Sequence, residues 1–359
     1  MPPRVAIVYL SYNSRPYLEE VMASIGALTY PKDRIELIIV DNDSPDQSAD
    51  LIREAVVPQS GKTLPNVTFF PNPTNDGFAA GNNIGINHAL LEDVDYVYLL
   101  NNDAKFHPDA MTEAVAMAES DKTIGSVQSL LLLWNQPDIV NSTGGMVHFL
   151  GFGFVRDNGR TVSEITAADG EEIAYASGAA VLYRASVLKE VGLLDPFLFL
   201  YHEDLELGWR IRLHGFRNVC AKKSTAYHQY EFKRSIQKFF WMERNRILVH
   251  VSHLKTWTIL LLIPFWIPLE LALIVFGIKG GWIKEKLRVY AALLDPKTWA
   301  YVARKRTESR LIRRVSDREI VRLFTGKILH QETKNPIVDF IANPMLSAIW
   351  LGVRKMVVW

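Results

Sequence analysis

The sequence predicts an α/β fold built on a mainly parallel sheet, and three observations carry that expectation. Over the first 220 residues, short β-rich apolar runs alternate with segments of helical period: RVAIVYL, then Leu18, Val21, Met22 and Ile25 on one helical face, RIELIIVD, a helix near Leu51 to Val56, VTFFP and YVYLLN. Such alternation is the pattern of helices packed on a sheet joined by crossover connections. The strands are continuously apolar and end in polar clusters, SYNS after the first, DNDS after the second and NND after the fourth. In open α/β sheets the ligand crevice lies beyond the carboxyl ends of the strands, so three polar clusters at those ends describe one site.

Composition narrows the function classes. The chain has 359 residues, 48% of them hydrophobic, with 40 Lys+Arg against 39 Asp+Glu, which places it among folded globular proteins and points to one catalytic domain with an appendage. The single cysteine, Cys220, excludes an intrachain disulfide and a cysteine-rich zinc module. The run VAIVYL near the start is too short for a secretory h-region, so the chain is expected to begin in the cytoplasm. Charge is unevenly spread: Lys279 to Lys327 holds 14 Lys/Arg and 5 Asp/Glu, a balance of +9 that leaves −8 elsewhere in a total of +1.

Beyond the fourth strand the expected elements are a strand IGSVQSLLLLW, a polar loop from Asp157 to Asp169 read as a substrate-facing flap, a strand AAVLYR, and a helix LELGWRIRLHG closed by Gly215. Past Ser235 the pattern is helical. The domain expectation is therefore a catalytic α/β unit over 1–235 and a helical region over 236–359, with an apolar segment at 257–278 and basic helices at 279–327.

Asp41 and Asp43, with Ser44, stand just past a buried strand, where a carboxylate is costly unless it is hydrogen-bonded or faces a cleft; capping of the next helix is the alternative. Asn101, Asn102 and Asp103 repeat the placement two strands on. One or two carboxylates at a strand end, joined by a nucleotide diphosphate, suit a Mg²⁺ or Mn²⁺ ion, which takes oxygen ligands and keeps several waters. NDGFAAGNNIGI has glycines at 77, 81 and 85 and matches neither a dinucleotide fingerprint nor a P-loop; close backbone approach to a ligand and tight helix packing remain equal readings. His202, Glu203 and Asp204 precede a helix, either complementing its dipole or providing a general base. His228 gains meaning only from its neighbours.

Taken in order, YLSYNS, VDNDS, NDGFAAGNNIGI, LLNNDA, SGAAVLYR, FLYHEDLELGWRIRLHG, a later His and ERNR resemble a family 2 glycosyltransferase of the GT-A fold, in the branch that includes bacterial rhamnosyltransferases of cell-surface polysaccharide synthesis. The resemblance covers roughly residues 4 to 250. It implies inverting transfer of a sugar, rhamnose among the candidates, from a dTDP- or UDP-type donor to a polyprenyl-linked or polysaccharide acceptor. Ser11, Tyr12, Asn13, Asp41, Asp43, Ser44, Gly77, Asn82 and Asn102 would bind the nucleotide sugar, and Asp103 with His228 would hold Mn²⁺ or Mg²⁺. Asp204 would be the base with Glu203 beside it. Trp209, Arg210 and Arg244 would reach acceptor or phosphate, with simple core packing an at least equal reading for Trp209. Asn101 stands where the family's first DXD aspartate is expected, which leaves one carboxylate and one histidine as protein ligands. A glycosidase would instead need a flanking carboxylate pair. The competing class is a non-catalytic sugar-nucleotide-binding or membrane scaffold protein.

Trp257 to Ile278 is long enough to span a bilayer, but Glu270, Pro264 and Pro268 interrupt it. The expectation is a monotopic or peripheral association with the cytoplasmic face of the membrane, through a broken apolar helical pair and the basic helices beyond it. Packing of the apolar stretches in a homo-oligomer is the alternative. No nucleic-acid recognition module accompanies the basic charge.

Overall fold

The chain was analysed as a computed structural model that describes residues 1–229, 238–329, 336 and 338–359. In chain order, β1 (Val5–Ser11), α1 (Leu18–Gly26), β2 (Ile35–Asn42), α2 (Ser48–Leu51), β3 (Asn66–Asn72), α3 (Gly77–Leu91) and β4 (Tyr96–Asn101) form the first half of the α/β unit. There follow β5 (Ala104–Phe106), α4 (Ala110–Ser120), β6 (Ile124–Leu133), β7 (Gln136–Ser142), β8 (Gly145–His148), β9 (Gly153–Val155), β10 (Glu171–Ile173), β11 (Ala180–Arg184), α5 (Ala185–Val191), α6 (Glu203–Leu213) and β12 (Arg217–His228). The C-terminal region comprises α7 (Lys238–His253), α8 (Thr256–Lys279), α9 (Ile283–Leu294), α10 (Pro296–Ile312), α11 (Asp317–Val321), β13 (Phe324–Thr325) and α12 (Asn343–Met356). The expected boundary at 235/236 lies outside the described residues.

The main sheet runs β10-β12-β6-β11-β4-β1-β2-β3. Its β1, β2, β3 and β4 are parallel to one another, as the alternation predicts. The sheet as a whole is mixed rather than mainly parallel, because β11 inserts antiparallel between β4 and β6. Along β1 the side chains divide between two layers: Val5, Ile7 and Tyr9 pack with α1 and α4, whereas Ala6, Val8 and Leu10 pack with α3 and α5. The helix expected at Leu51 to Val56 is found as α2 followed by a wider turn through Val56. The Asp157 to Asp169 segment is fastened at both ends, by Val140 N–H to Arg160 O and by Lys222 N–H to Asp169 Oδ1, so it lies along β7 and β12.

The helix α6 is buried on both sides. Leu207 and Ile211 face the sheet, while Leu205, Trp209 and Leu213 face a second core built with α7, α8 and α12. Of its eleven residues only Asp204 is not fully buried. The C-terminal region even supplies a strand, β13, which pairs with β8.

The apolar segment differs from expectation. It is one continuous helix, α8, with Pro264 and Pro268 inside it. Each proline removes a single backbone hydrogen bond, and at a spacing of four both lie on one side of the helix, a placement that bends rather than breaks it. Glu270 turns inward to Arg246 and Lys286, while Trp257, Ile267, Leu271, Val275 and Ile278 stand exposed. Part of the basic block is core: Lys286 and Lys305 are buried and ion-paired.

In α3 the packing role of the glycines prevails. A Cβ on Gly81 would stand 2.7 Å from Leu10 Cδ1, and one on Gly85 2.6 Å from Val8 Cγ1. Gly85→Val is therefore expected to destabilise the fold by about 1–3 kcal/mol, the usual scale of overpacking, read as a lower denaturant midpoint at unchanged m-value.

Candidate active site

The carboxyl ends of the parallel strands meet along one rim. Ser11 is in register with Asp41 across β1 and β2, and Leu10 with Asn101 across β1 and β4. Asp41 is buried and accepts from Ser11 Oγ (2.9 Å), Ser44 Oγ (2.6 Å) and Ser44 N–H (3.1 Å). Its charge is thus held by neutral donors, a cradle suited to orienting a polar ligand. Tyr12 and Asn13 are exposed just beyond, with Asn13 at φ 54°, and Asn102 Nδ2 donates to Tyr12 O (2.6 Å), tying the loops after β1 and β4. Asp43 is exposed, at φ 60°.

Antiparallel pairing of β5 with β12 sets His228 opposite Ala104 and brings its Nε2 to 3.2 Å from Asp103 Oδ1. The other ring nitrogen, Nδ1, lies 3.0 Å from Asn141 Oδ1, which fixes the orientation of the ring. Asp103 Oδ1 is buried without a conventional hydrogen-bond donor among the described residues. A carboxylate oxygen and an imidazole nitrogen 3.2 Å apart are a donor pair that fits a divalent cation. No group of three or more His, Cys, Asp and Glu is clustered among the described residues, so two protein ligands would leave positions for diphosphate oxygens and water.

The same rim receives the N-terminus of α6. Asn101 N–H donates to Ala179 O (3.0 Å), and the preceding Gly178 N–H donates to Asp204 Oδ2 (3.2 Å). Leu205 N–H holds the other oxygen, Oδ1, at 2.7 Å. Burial pushes the Asp204 carboxyl above its usual range against the pull of these N–H groups. Glu203 is buried, with Oε2 unpartnered among the described residues; burial and the neighbouring Asp204 charge push it up to about 8.

Residues 2–247 match the model of the "Glycosyltransferase like family 2" family. The chain belongs to that family. It is 24% identical over 244 residues to an N-acetylglucosaminyl-diphospho-decaprenol L-rhamnosyltransferase of Mycobacterium tuberculosis, covering 62% of this chain and 75% of that protein. Its fold resembles GalNAc-T7 solved with UDP, GalNAc and Mn²⁺ (TM-score 0.56, 18% identity, 71% of this chain and 48% of that one). It also resembles a Pyrobaculum calidifontis mannosyltransferase solved with GDP-Man and Mn²⁺ (TM-score 0.53, 16% identity, 87% of both chains). The fold is GT-A, as the motif order implied.

Not every expected site residue of this glycosyltransferase reaches the rim. Trp209 and Arg210 lie five and six residues after Asp204, which at about 100° per residue turns them away from it. Trp209 packs against His250 and Phe324, and Arg210 is a buried partner of Glu206 (2.7 Å). Arg244 is buried and donates to Phe197 O (2.6 Å), so it contacts backbone rather than open cleft. Asn82 is buried and donates to Phe78 O within α3. Gly77, at φ 80°, backs onto Phe199, whose Cδ2 would lie 2.5 Å from an added Cβ.

Sequence reading missed residues that organise the site of the glycosyltransferase. Asn42 accepts from Asn72 Nδ2 (3.0 Å) and donates to Gly77 O (3.2 Å), joining β2 to the start of α3. Gly178 and Asn141 hold Asp204 and His228. Only Asn42, adjacent to Asp41 in the DNDS cluster, carried a local signal.

The raised Glu203 value has a stability consequence with a defined sign. Below about pH 4.5 the group is protonated folded and unfolded and contributes no difference; as pH rises toward and past about 8, the folded chain must ionise a carboxyl that the unfolded chain ionises freely. Glu203→Gln is expected to leave Tm unchanged near pH 4.5 and to raise it by several degrees at pH 9, measured by scanning calorimetry.

Proposed function

We propose that the protein is an inverting, divalent-cation-dependent glycosyltransferase that moves a sugar from a nucleotide-diphospho donor to a lipid-linked or cell-surface glycan. The observation that carries this reading is the convergence of Asp103, His228 and Asp204 on the rim that also holds Asp41. The Ser11–Asp41–Ser44 cradle orients the nucleotide. Asp103 and His228 would hold Mn²⁺ or Mg²⁺, and the bound cation would offset the charge that develops on the departing diphosphate. Asp204 Oδ2, anchored by Gly178, takes the proton of the acceptor hydroxyl, a role favoured by burial, which raises the basicity of this carboxyl. The mycobacterial rhamnosyltransferase, whose name gives a diphospho-decaprenol acceptor, supports a lipid-linked acceptor and makes rhamnose the first donor sugar to try.

Incubation with dTDP-rhamnose, UDP-galactofuranose, UDP-GlcNAc and GDP-mannose, followed by release of the nucleoside diphosphate with and without Mn²⁺, tests the assignment. One donor is expected to be consumed in the presence of metal, with Asp103→Ala weakening metal-dependent donor binding as well as turnover. Asp204→Asn should retain donor affinity and lose transfer by about 10² or more. Full activity in chelator removes the metal role.

The exposed face of α8 supports an orientation as well. A helix whose one internal charge, Glu270, faces Arg246 and Lys286 on the protein side, with a stripe of Trp257, Ile267, Leu271 and Val275 outward, suits lying in the membrane interface rather than crossing it. Exposed Lys279 in its last turn and Lys284 in the first turn of α9 favour anionic headgroups. Replacing Trp257, Leu271 and Val275 together by Ser is expected to abolish co-sedimentation with anionic vesicles while the melting temperature holds. Retained vesicle binding, or a wild-type dimer that the triple variant dissociates, would assign the face to another surface or to a second copy.

A further inference from the structure

The turn leading into α6 is conformationally disfavoured. Phe199 has φ 62° and ψ −58°, and Leu200 N–H donates to Leu198 O at 2.7 Å, the geometry of a classic γ-turn, which is rare and strained for a residue with a side chain. Tyr201 (φ 65°) and His202 (φ 69°) then both occupy the left-handed region. Three bulky residues at positive φ within four positions persist only where surrounding contacts over-determine them.

Those contacts come almost entirely from two adjacent residues of α7. Asn245, completely buried, directs Nδ2 at three carbonyls: Leu198 (2.9 Å), Leu200 (3.0 Å) and Tyr201 (2.7 Å). Arg244 Nη2 donates to Phe197 O (2.6 Å), and Phe78 N–H donates to Phe199 O (2.8 Å). Every carbonyl from Phe197 to Tyr201 thus has a donor, and the next, His202 O, accepts from Glu206 N–H to open α6. Arg244 also donates to Asn245 Oδ1 through Nε (3.0 Å) and Nη2 (2.8 Å), which sets the amide so that its nitrogen faces the turn. Its guanidinium lies over Trp241 (4.6 Å), and Trp241 stacks on Phe199 (4.8 Å).

We propose that Arg244 and Asn245 are positioning residues: they clamp the strained 197–202 turn and thereby set the entry of α6 and the location of Asp204. The consequence for transfer rests on the reading of Asp204 as base; the clamp itself does not. Removing Asn245 takes away the Nδ2 group that bridges the Leu198, Leu200 and Tyr201 carbonyls, although Leu198 O keeps Leu200 N–H, and lets Phe199, Tyr201 and His202 relax to ordinary φ, which moves the first turn of α6. A displacement of about 1 Å at a reacting group is enough to cost about 10² in rate.

The full-length chain is tested by amide hydrogen exchange and by transfer kinetics. Asn245→Ala is expected to speed exchange at amides 199–206 at least tenfold while β1 and β4 keep their protection. It should also lower kcat by about 10–100-fold, with the affinity for the panel's active nucleoside diphosphate, measured with Mn²⁺, unchanged. Arg244→Lys, which retains the charge but has one ammonium in place of a planar fork, should show the same pattern more weakly and serves if Asn245→Ala does not fold. Adding Tyr201→Gly to Asn245→Ala should recover part of the lost kcat, because glycine takes positive φ without strain. Unchanged exchange at 199–206 in both clamp variants overturns the inference. So does a joint fall of kcat, nucleotide affinity and global protection with no recovery from Tyr201→Gly. Undiminished transfer in Asp204→Asn would instead overturn the base assignment, and the exchange result would still decide the clamp.

Discussion

A fully buried carboxylate, Glu206, is the constraint around which this enzyme is assembled. It sits two residues beyond Asp204, inside a helix enclosed by two hydrophobic layers. Burial alone would drive its pKa up; Arg210 and Lys305, with His253, instead hold it well below the ordinary carboxylate range. Lys305 comes from α10 and also reaches Asp195 (3.0 Å), the residue that caps the turn before α6. Loss of one member would leave an uncompensated buried charge, a defect worth about 3–5 kcal/mol. The helix bearing the candidate base is therefore built jointly by the GT-A sheet and the C-terminal helices.

The same logic recurs one layer out. Glu243 and Glu270 share Arg246 and Lys286, linking α7, α8 and α9 beneath the apolar stripe. Because this network draws Glu270 inward, the outward surface of α8 is free of charge up to Lys279 in its last turn. α7 is the common element: its Arg246 joins this network, its His253 joins the Glu206 cluster, and its Arg244 and Asn245 grip the turn into α6. The network beneath the exposed apolar stripe and the turn that enters the candidate site thus share one helix.

Much of the candidate site was legible in local pattern. Ser11, Asp41, Asn102 and Asp103 are at strand ends, and a strand end can be read from a continuous apolar run followed by polar residues. Asp204 was legible as the second acid of a helix-initiating cluster. For Trp209 the packing reading holds, and Arg210 and Arg244 lie away from the rim, because helix phase and burial turn Arg210 into the core and Arg244 toward backbone carbonyls. The mixed character of the sheet was also hidden, since an isolated run such as AAVLYR reads identically in either direction.

By itself the sequence determined the α/β alternation, the polar strand ends, the family and the existence of a long apolar segment, because each is encoded in a few neighbouring residues and the period of their side chains. Tertiary structure decided the rest: which face of α8 holds Glu270, that Lys286 and Lys305 are internal counter-ions, that Asp103 meets His228 through the pairing of β5 with β12, and that Asn245 answers three carbonyls of a turn far from it in the chain. The physical reason is that the state of a charged or polar group depends on its solvent exposure and its hydrogen-bonding partners, and both are supplied by segments remote in sequence.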